Sequence, residues 1–387
     1  MKLFALFFLF LSICALVILK IAAMPSYYLT PDSHYYLQAA TNLLNDFSYQ
    51  IHFKGQNRYC AIWPIGYPGL IAAGSWLSSL SPYWSAKTVN LLAVGGCFLL
   101  VWREFKDRAF LITLALCSPS LLQLYANTWS ETAFLFGLVG FVIAVAKPAV
   151  AWWVLVLWGS FLFLVRYIGG FVVIELLLLT GYQRFRQQPF RRELYALTSL
   201  LVVMLAYFAN NYHQTGTFSG GHGYPLEEPL AQRIAVGLQG IAQETLAWFR
   251  DWDLKNPSLP PPVRWFILMV SAVQGVVLLL LIYRLIRALK QVGTVKPLHR
   301  ATAFFLLTGA VYVTVMVVIY LTDVSIEDLR FRRLAPASFL FTTGLLIGLT
   351  DDSNRAVLAR IKFPLVAFCL LAMLHALPKT YLFLRLF

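Results

Sequence analysis

The sequence predicts an all-α polytopic membrane protein, and three observations predict it. Of 387 residues, 59% are hydrophobic and 12% charged, with a mean hydropathy of +0.70; a soluble domain is roughly 25% charged. The apolar residues gather into runs long enough for bilayer helices. The basic surplus, a net charge of +14, falls in alternate loops, as the positive-inside rule expects. This composition excludes an ordinary soluble enzyme and a disordered chain. Loop placement also accounts for the positive charge with no nucleic-acid partner.

The first run, Leu3–Ala23, is long for a secretory signal and carries Lys20 near its end, so it reads as a retained span. A cleaved signal is the rival reading, with Lys2 before the run and Ala22-Ala23 closing it. Further runs at about 86–102, 109–125, 131–146, 150–165, 167–182, 194–211, 264–284, 301–321, 334–350 and 363–378 read as helices. The stretch 152–180 is too long to cross once, and Arg166 with Gly169-Gly170 interrupts it. A tight hairpin with Arg166 and Tyr167 at its tip accounts for both. About 11 transmembrane helices result, in a single domain covering residues 1–387.

With the N-terminus inside, the inner loops are 103–108, 147–149, 183–193, 285–300 and 351–362. Together with Arg284 they carry 16 Lys and Arg against five acids. The outer loops, about 24–85, 126–131, 166–167, 212–263 and 322–333, hold 11 of the 17 acids. Two of these loops, 24–85 and 212–263, are long enough to carry function. Four cysteines lie in apolar runs, Cys60 alone lies in a polar segment, and no CxxC occurs. Neither a disulfide framework nor a zinc knuckle is indicated.

The first long loop opens with Thr30-Pro31-Asp32-Ser33, and a helical pattern follows to Phe47. Tyr36, Ala40, Leu43 and Phe47 fall on one stripe, which describes an amphipathic helix lying in the membrane interface. Asp32, at the start of that helix, is either an N-cap or a carboxylate held for chemistry at the outer face. Trp63-Pro64-Ile65-Gly66-Tyr67-Pro68-Gly69 then makes a defined turn before a second apolar segment, 70–80.

In order, these segments resemble the membrane glycosyltransferases of the C-type superfamily. That group includes the dolichyl-phosphate-mannose protein mannosyltransferases and the bacterial lipid A aminoarabinose transferases. The resemblance continues through Trp129-Ser130-Glu131-Thr132, Arg166-Tyr167-Ile168-Gly169, Asn210-Asn211-Tyr212 with Thr215-Gly216-Thr217, and Asp328-Leu329-Arg330-Phe331 with Pro336. It is to a short form, without the C-terminal extracytoplasmic domain of larger members. Some members carry adjacent carboxylates in the first loop, whereas Ser33 follows Asp32 here. A second catalytic acid is therefore unassigned.

The resemblance implies transfer of a sugar, with inversion, from a polyprenyl-phosphate carrier to a lipid, glycan or protein. It places the enzyme in the bacterial inner membrane with its site facing outward. Asp32 is then the general base, since a carboxylate can take the acceptor's proton. Cations must meet the leaving phosphate, and Arg330 is the first candidate, with Arg332, Arg333 and Arg166 behind it. Tyr35, Tyr36, Tyr67, Glu131, Tyr167, Asn211, His222 and Asp328 are assigned around the substrates.

Each basic candidate has a plainer reading. Arg166 can snorkel from its hairpin tip or pair with Glu131. Glu327 and Asp328 can neutralise the arginines that follow them. No cofactor is required; a divalent metal held by His34, His222 and Glu131 is the weaker reading, because no helical His spacing supports it. Glu175, deep in an apolar run, reads as protonated or paired. The stretch 219–225, Gly-rich with an aromatic, is either an ordinary loop or a lid. Two other classes stand beside the enzyme: a transporter or flippase of lipid-linked sugars, and a non-catalytic assembly subunit.

Overall fold

A computed structural model describes residues 2–53, 55–220, 229–251, 253–255, 259–292, 299–322, 329 and 331–386. His222, Asp328 and Arg330, and most of the segment 219–225, lie outside those residues. Among the described residues the chain is mostly helical, with one small β-hairpin. In order it runs α1 (Lys2–Ala23), α2 (Pro31–Asp46), β1 (Gln50–Phe53), β2 (Gln56–Tyr59), α3 (Gly66–Ser78), α4 (Pro82–Phe105), α5 (Ala109–Thr113), α6 (Pro119–Ala126) and α7 (Glu131–Ala146). It continues α8 (Trp152–Val165), α9 (Phe171–Phe185), α10 (Arg191–Thr215), α11 (Leu230–Thr245), α12 (Pro261–Val292), α13 (Arg300–Thr322), α14 (Phe331–Leu349), α15 (Arg355–His375) and α16 (Lys379–Leu386).

Among the described residues, seven helices are long and apolar enough to cross a membrane, or eight if the bent pair α6–α7 is one span. The expected count of 11 is not reached on this measure, for local reasons. The run at 109–125 is not one helix: α5 passes into a tight turn at Leu114–Cys117, and Pro119 starts α6 afresh, because proline has no amide hydrogen to continue the earlier ladder. α8 has only 14 residues, and α14 opens on two arginines.

The expected helix after Thr30 exists as α2 and buries Tyr36 and Ala40 of the predicted stripe, but it ends at Asp46, leaving Phe47 exposed as its C-cap. Its start is fixed by Pro31 in the first turn and by the Thr30 amide donating to Ser33 Oγ at 3.1 Å. The hairpin after it was not foreseen. Its strands are four residues each, pairing Gln50 with Tyr59 and Phe53 with Gln56. Polar and apolar residues alternate too briefly there to signal a strand, and Gly55 at φ +81° supplies the turn.

The charge-sorted loops do collect on two faces. On one face Lys147 pairs with Glu104, Arg108 with Asp351 at 3.1 Å, and Arg192 Nη2 donates to the carbonyl of Val145. The core runs between the faces and is centred on α7, of whose 16 residues only Phe136 and Ile143 are not buried. Lys20 is itself buried: it donates to the carbonyl of Ala376 at 3.0 Å, beside a network in which Asp251 meets Lys379 at 2.9 Å and His375 at 3.1 Å. Glu175 is fully buried in α9 and accepts a hydrogen bond from Thr308 at 2.8 Å. Among the described residues its other oxygen has no hydrogen-bond partner and no cation pairs with it, so the paired reading is not met.

Candidate functional site

Three helices start at one place on the face opposite those inner loops. Asp32 is the second residue of α2, Glu131 the first of α7 and Arg332 the second of α14. Arg332 joins the two carboxylates: Nη1 reaches Asp32 Oδ2 at 2.5 Å, and Nε pairs with Glu131 Oε1. Arg166 pairs with that same Glu131 oxygen and donates to Ser130 Oγ at 3.3 Å. The second oxygen, Glu131 Oε2, is buried with no hydrogen-bond partner among the described residues.

The electrostatics follow from the helix starts. Their unpaired amides carry partial positive charge, so carboxylates in the first turns of α2 and α7 are favoured. Arg332 stands against that preference, at the positive end of its own helix. Two carboxylates and the ring of Trp129, 4.5 Å from its guanidinium carbon, hold it there. Four charges, two of each sign, thus sit in a partly buried nest.

A frame of neutral hydrogen bonds locks the elements together. Ser33 Oγ donates to the carbonyl of Thr128 at 3.1 Å, and Trp129 Nε1 donates to Thr30 Oγ1 at 2.7 Å. Tyr36 and Ser130 hydroxyls meet at 3.3 Å. Behind them, buried Lys87 donates to the carbonyls of Tyr28 and Ala126 and to Thr128 Oγ1, at 3.3, 2.6 and 2.9 Å. Asn90 donates to the carbonyls of Tyr125 and Asn127 and accepts from the Tyr67 hydroxyl at 3.1 Å. The 118° break between α6 and α7 is therefore braced from α4, because a broken helix leaves carbonyls that need donors. Cutting the Lys87 brace with Lys87→Met leaves three buried oxygens without their donor and should destabilise the fold by about 1–3 kcal/mol. Thermal unfolding of the detergent-purified variant checks it; an unchanged melting temperature would exclude the bracing role.

The hairpin tip expected at Arg166 and Tyr167 is present, between α8 and α9. Gly169 makes it possible: a Cβ there would lie 2.3 Å from the carbonyl oxygen of Leu162. Tyr167 donates to the carbonyl of Ala61 at 2.6 Å and accepts from Asn211 Nδ2 at 2.9 Å, so both face the first loop rather than the charged nest. Tyr35 stacks on Trp63 with ring centroids 5.0 Å apart. Arg333 sits beside Arg332, and its backbone carbonyl accepts from the Tyr312 hydroxyl at 2.8 Å. His34 and His52 line an open cleft of about 520 Å³ with Thr30, Pro31, Tyr35 and Gln38. Among the described residues no three His, Cys, Asp or Glu side chains converge as metal ligands.

Sequence reasoning therefore named Asp32, Glu131, Arg166, Arg332, Tyr36 and Tyr67. It missed Lys87 and Asn90, although a lysine in the opening of an apolar run was a visible signal. It also missed Glu244 and Arg250. Glu244, on α11, accepts from Ser120 at 3.2 Å and pairs with Arg250 at 3.3 Å, and Arg250 lies 5.5 Å from the ring of Phe331, next to Arg332.

Burial pushes the Glu244 carboxyl up to about 7 despite the opposing pull of Arg250 and Ser120. Its folded pKa thus exceeds the unfolded 4.5. The folded state holds the extra proton between those values, so stability falls as pH rises through that window. The melting temperature of detergent-purified protein should drop across it, and Glu244→Gln should flatten that slope. An unchanged slope would assign the titration elsewhere.

No known family profile matches the chain, and no curated protein matches it. Two solved structures are similar. ArnT from Cupriavidus metallidurans in the apo state has 14% identity and a TM-score of 0.38, with 86% of this chain and 73% of that chain covered. The same protein bound to undecaprenyl phosphate has 12% identity and a TM-score of 0.41, with 92% and 77% covered. At that distance, function has to be argued from the side chains of this chain.

Proposed function

We propose that the protein is an integral-membrane, inverting glycosyltransferase that takes a sugar from a polyprenyl-phosphate carrier and passes it to an acceptor hydroxyl outside the membrane. The observation that carries this reading is the nest of Asp32, Glu131, Arg166 and Arg332 at three helix starts. A transfer of this kind needs a base beside a cation at the edge of the bilayer, and the nest supplies both.

In the reaction the acceptor oxygen attacks the anomeric carbon as the bond to the phosphate oxygen breaks. Asp32 takes the acceptor proton. The departing phosphate collects negative charge, which Arg332, with Arg333 and Arg330 on the same segment, stabilises. Arg332 is bound to Asp32 before substrate arrives, so a donor phosphate competes for the guanidinium and frees the base. Glu131, anchored by Arg166, keeps the nest neutral. Tyr35, Tyr36, Tyr67, His222 and Asp328 remain assigned around the substrates, with the His34 cleft as the acceptor's approach, while Tyr167 and Asn211 support the first loop.

A transporter of lipid-linked sugars also uses broken helices, but at mid-membrane. Here the break at 127–130 adjoins Asp32 and Arg332 on one face. Transfer by detergent-solubilised protein separates the readings, because no second membrane side remains to move a lipid to. Mass spectrometry of lipids and glycans from a deletion strain then names the sugar and acceptor; an unchanged profile, with no transfer in detergent, would overturn the proposal.

A further inference from the structure

The face opposite the Asp32 nest carries a second cationic site. α12 and α15 pack side by side, and near the end of α12 the residues Leu280, Tyr283, Arg284, Arg287 and Arg360 line one cleft of about 470 Å³. Arg284 and Arg287 are one helical turn apart on α12. Arg360 joins them from α15, and its backbone carbonyl accepts from Arg284 Nη1 at 3.2 Å. That bond fixes one guanidinium at the mouth of the cleft.

We propose that this cleft binds the phosphodiester headgroup of an anionic phospholipid of the inner leaflet. Three guanidinium groups around one cavity match the forked acceptor geometry of a phosphate. The apolar surroundings choose the lipid over free phosphate. Leu280 forms part of the wall, and on the α12 surface running from it towards mid-membrane Val276 and Leu279 are about two-thirds exposed among the described residues. Acyl chains can lie along that surface while the headgroup enters the cleft. Placement is consistent as well: this face carries the basic loops, and basic pockets between spans on the cytoplasmic side suit anionic headgroups. The bound lipid clamps α12 to α15 from the side remote from the sugar chemistry, so the proposal is independent of how Asp32 is used.

Native mass spectrometry of the detergent-purified full chain, titrated with phosphatidylglycerol or with phosphatidylcholine, tests it. Wild type should retain phosphatidylglycerol over phosphatidylcholine by tenfold or more. The double variant R284Q/R287Q should lose that preference, while R284K/R287K, which keeps the charge but not the planar fork, should retain an intermediate preference. An unchanged melting temperature without lipid shows that the Gln variant is folded. Equal phosphatidylglycerol retention by wild type and R284Q/R287Q would overturn the site. Complete displacement by low-millimolar inorganic phosphate would overturn the lipid assignment.

Discussion

Replacing Asp32 by asparagine is expected to reduce sugar transfer by about 10²–10⁴-fold, the range a general base contributes. The substitution is chosen for what it keeps. Asparagine retains an oxygen that accepts from Arg332, which now reaches Asp32 Oδ2 at 2.5 Å, and it leaves the Thr30–Ser33 helix start untouched. Donor binding should therefore survive or tighten, since Arg332 is held less strongly by a neutral amide. The measurement is single-turnover transfer from a polyprenyl-phosphate sugar, with donor affinity determined separately. Wild-type turnover by the folded variant would remove Asp32 from the mechanism.

Arg332→Gln should be more damaging, because it strikes both fold and chemistry. Its guanidinium serves two carboxylates, and the Glu131 side chain is fully buried. Breaking a buried pair costs roughly 3–5 kcal/mol, since the remaining charge is left uncompensated. Arg166 still pairs with Glu131, and the Arg332 side chain is 24% exposed, so the lower end of that range applies. A lower melting temperature and undetectable transfer are the expected results. The double variant Arg332→Gln/Glu131→Gln separates the two effects: removing the stranded carboxylate should restore part of the melting temperature without restoring transfer. Recovered transfer in the double variant would show that Arg332 acts only as a structural counter-ion.

The membrane class, the amphipathic helix after Asp32, the hairpin at Arg166 and the sidedness of the loops were all legible in the chain. Each is written as a local pattern: a run, a period or a charge bias. The helix break at Pro119 was not read, because a proline inside an apolar run does not say whether a helix bends or ends, whereas the break at 127–130 falls on the outer loop placed at 126–131. The short strands at 50–59 were too brief to show a period. Lys87 and Asn90 were passed over because most of their partners are backbone carbonyls 35 or more residues away, and carbonyls carry no sequence signature.

By itself, then, the sequence determined the helical membrane class, which loops share a face, and that Asp32, Glu131, Arg166 and Arg332 belong to one face, but not how many helices cross the bilayer. Hydrophobic burial and charge sorting act locally along a chain, so both leave a readable trace. Only the tertiary structure decided that one guanidinium bridges Asp32 and Glu131, 99 positions apart in sequence. It also decided that Lys87 braces the break beside them, and that Arg284, Arg287 and Arg360 share one cleft. Those facts depend on how helices pack across large sequence separations, and packing is set by the shapes of both partners together.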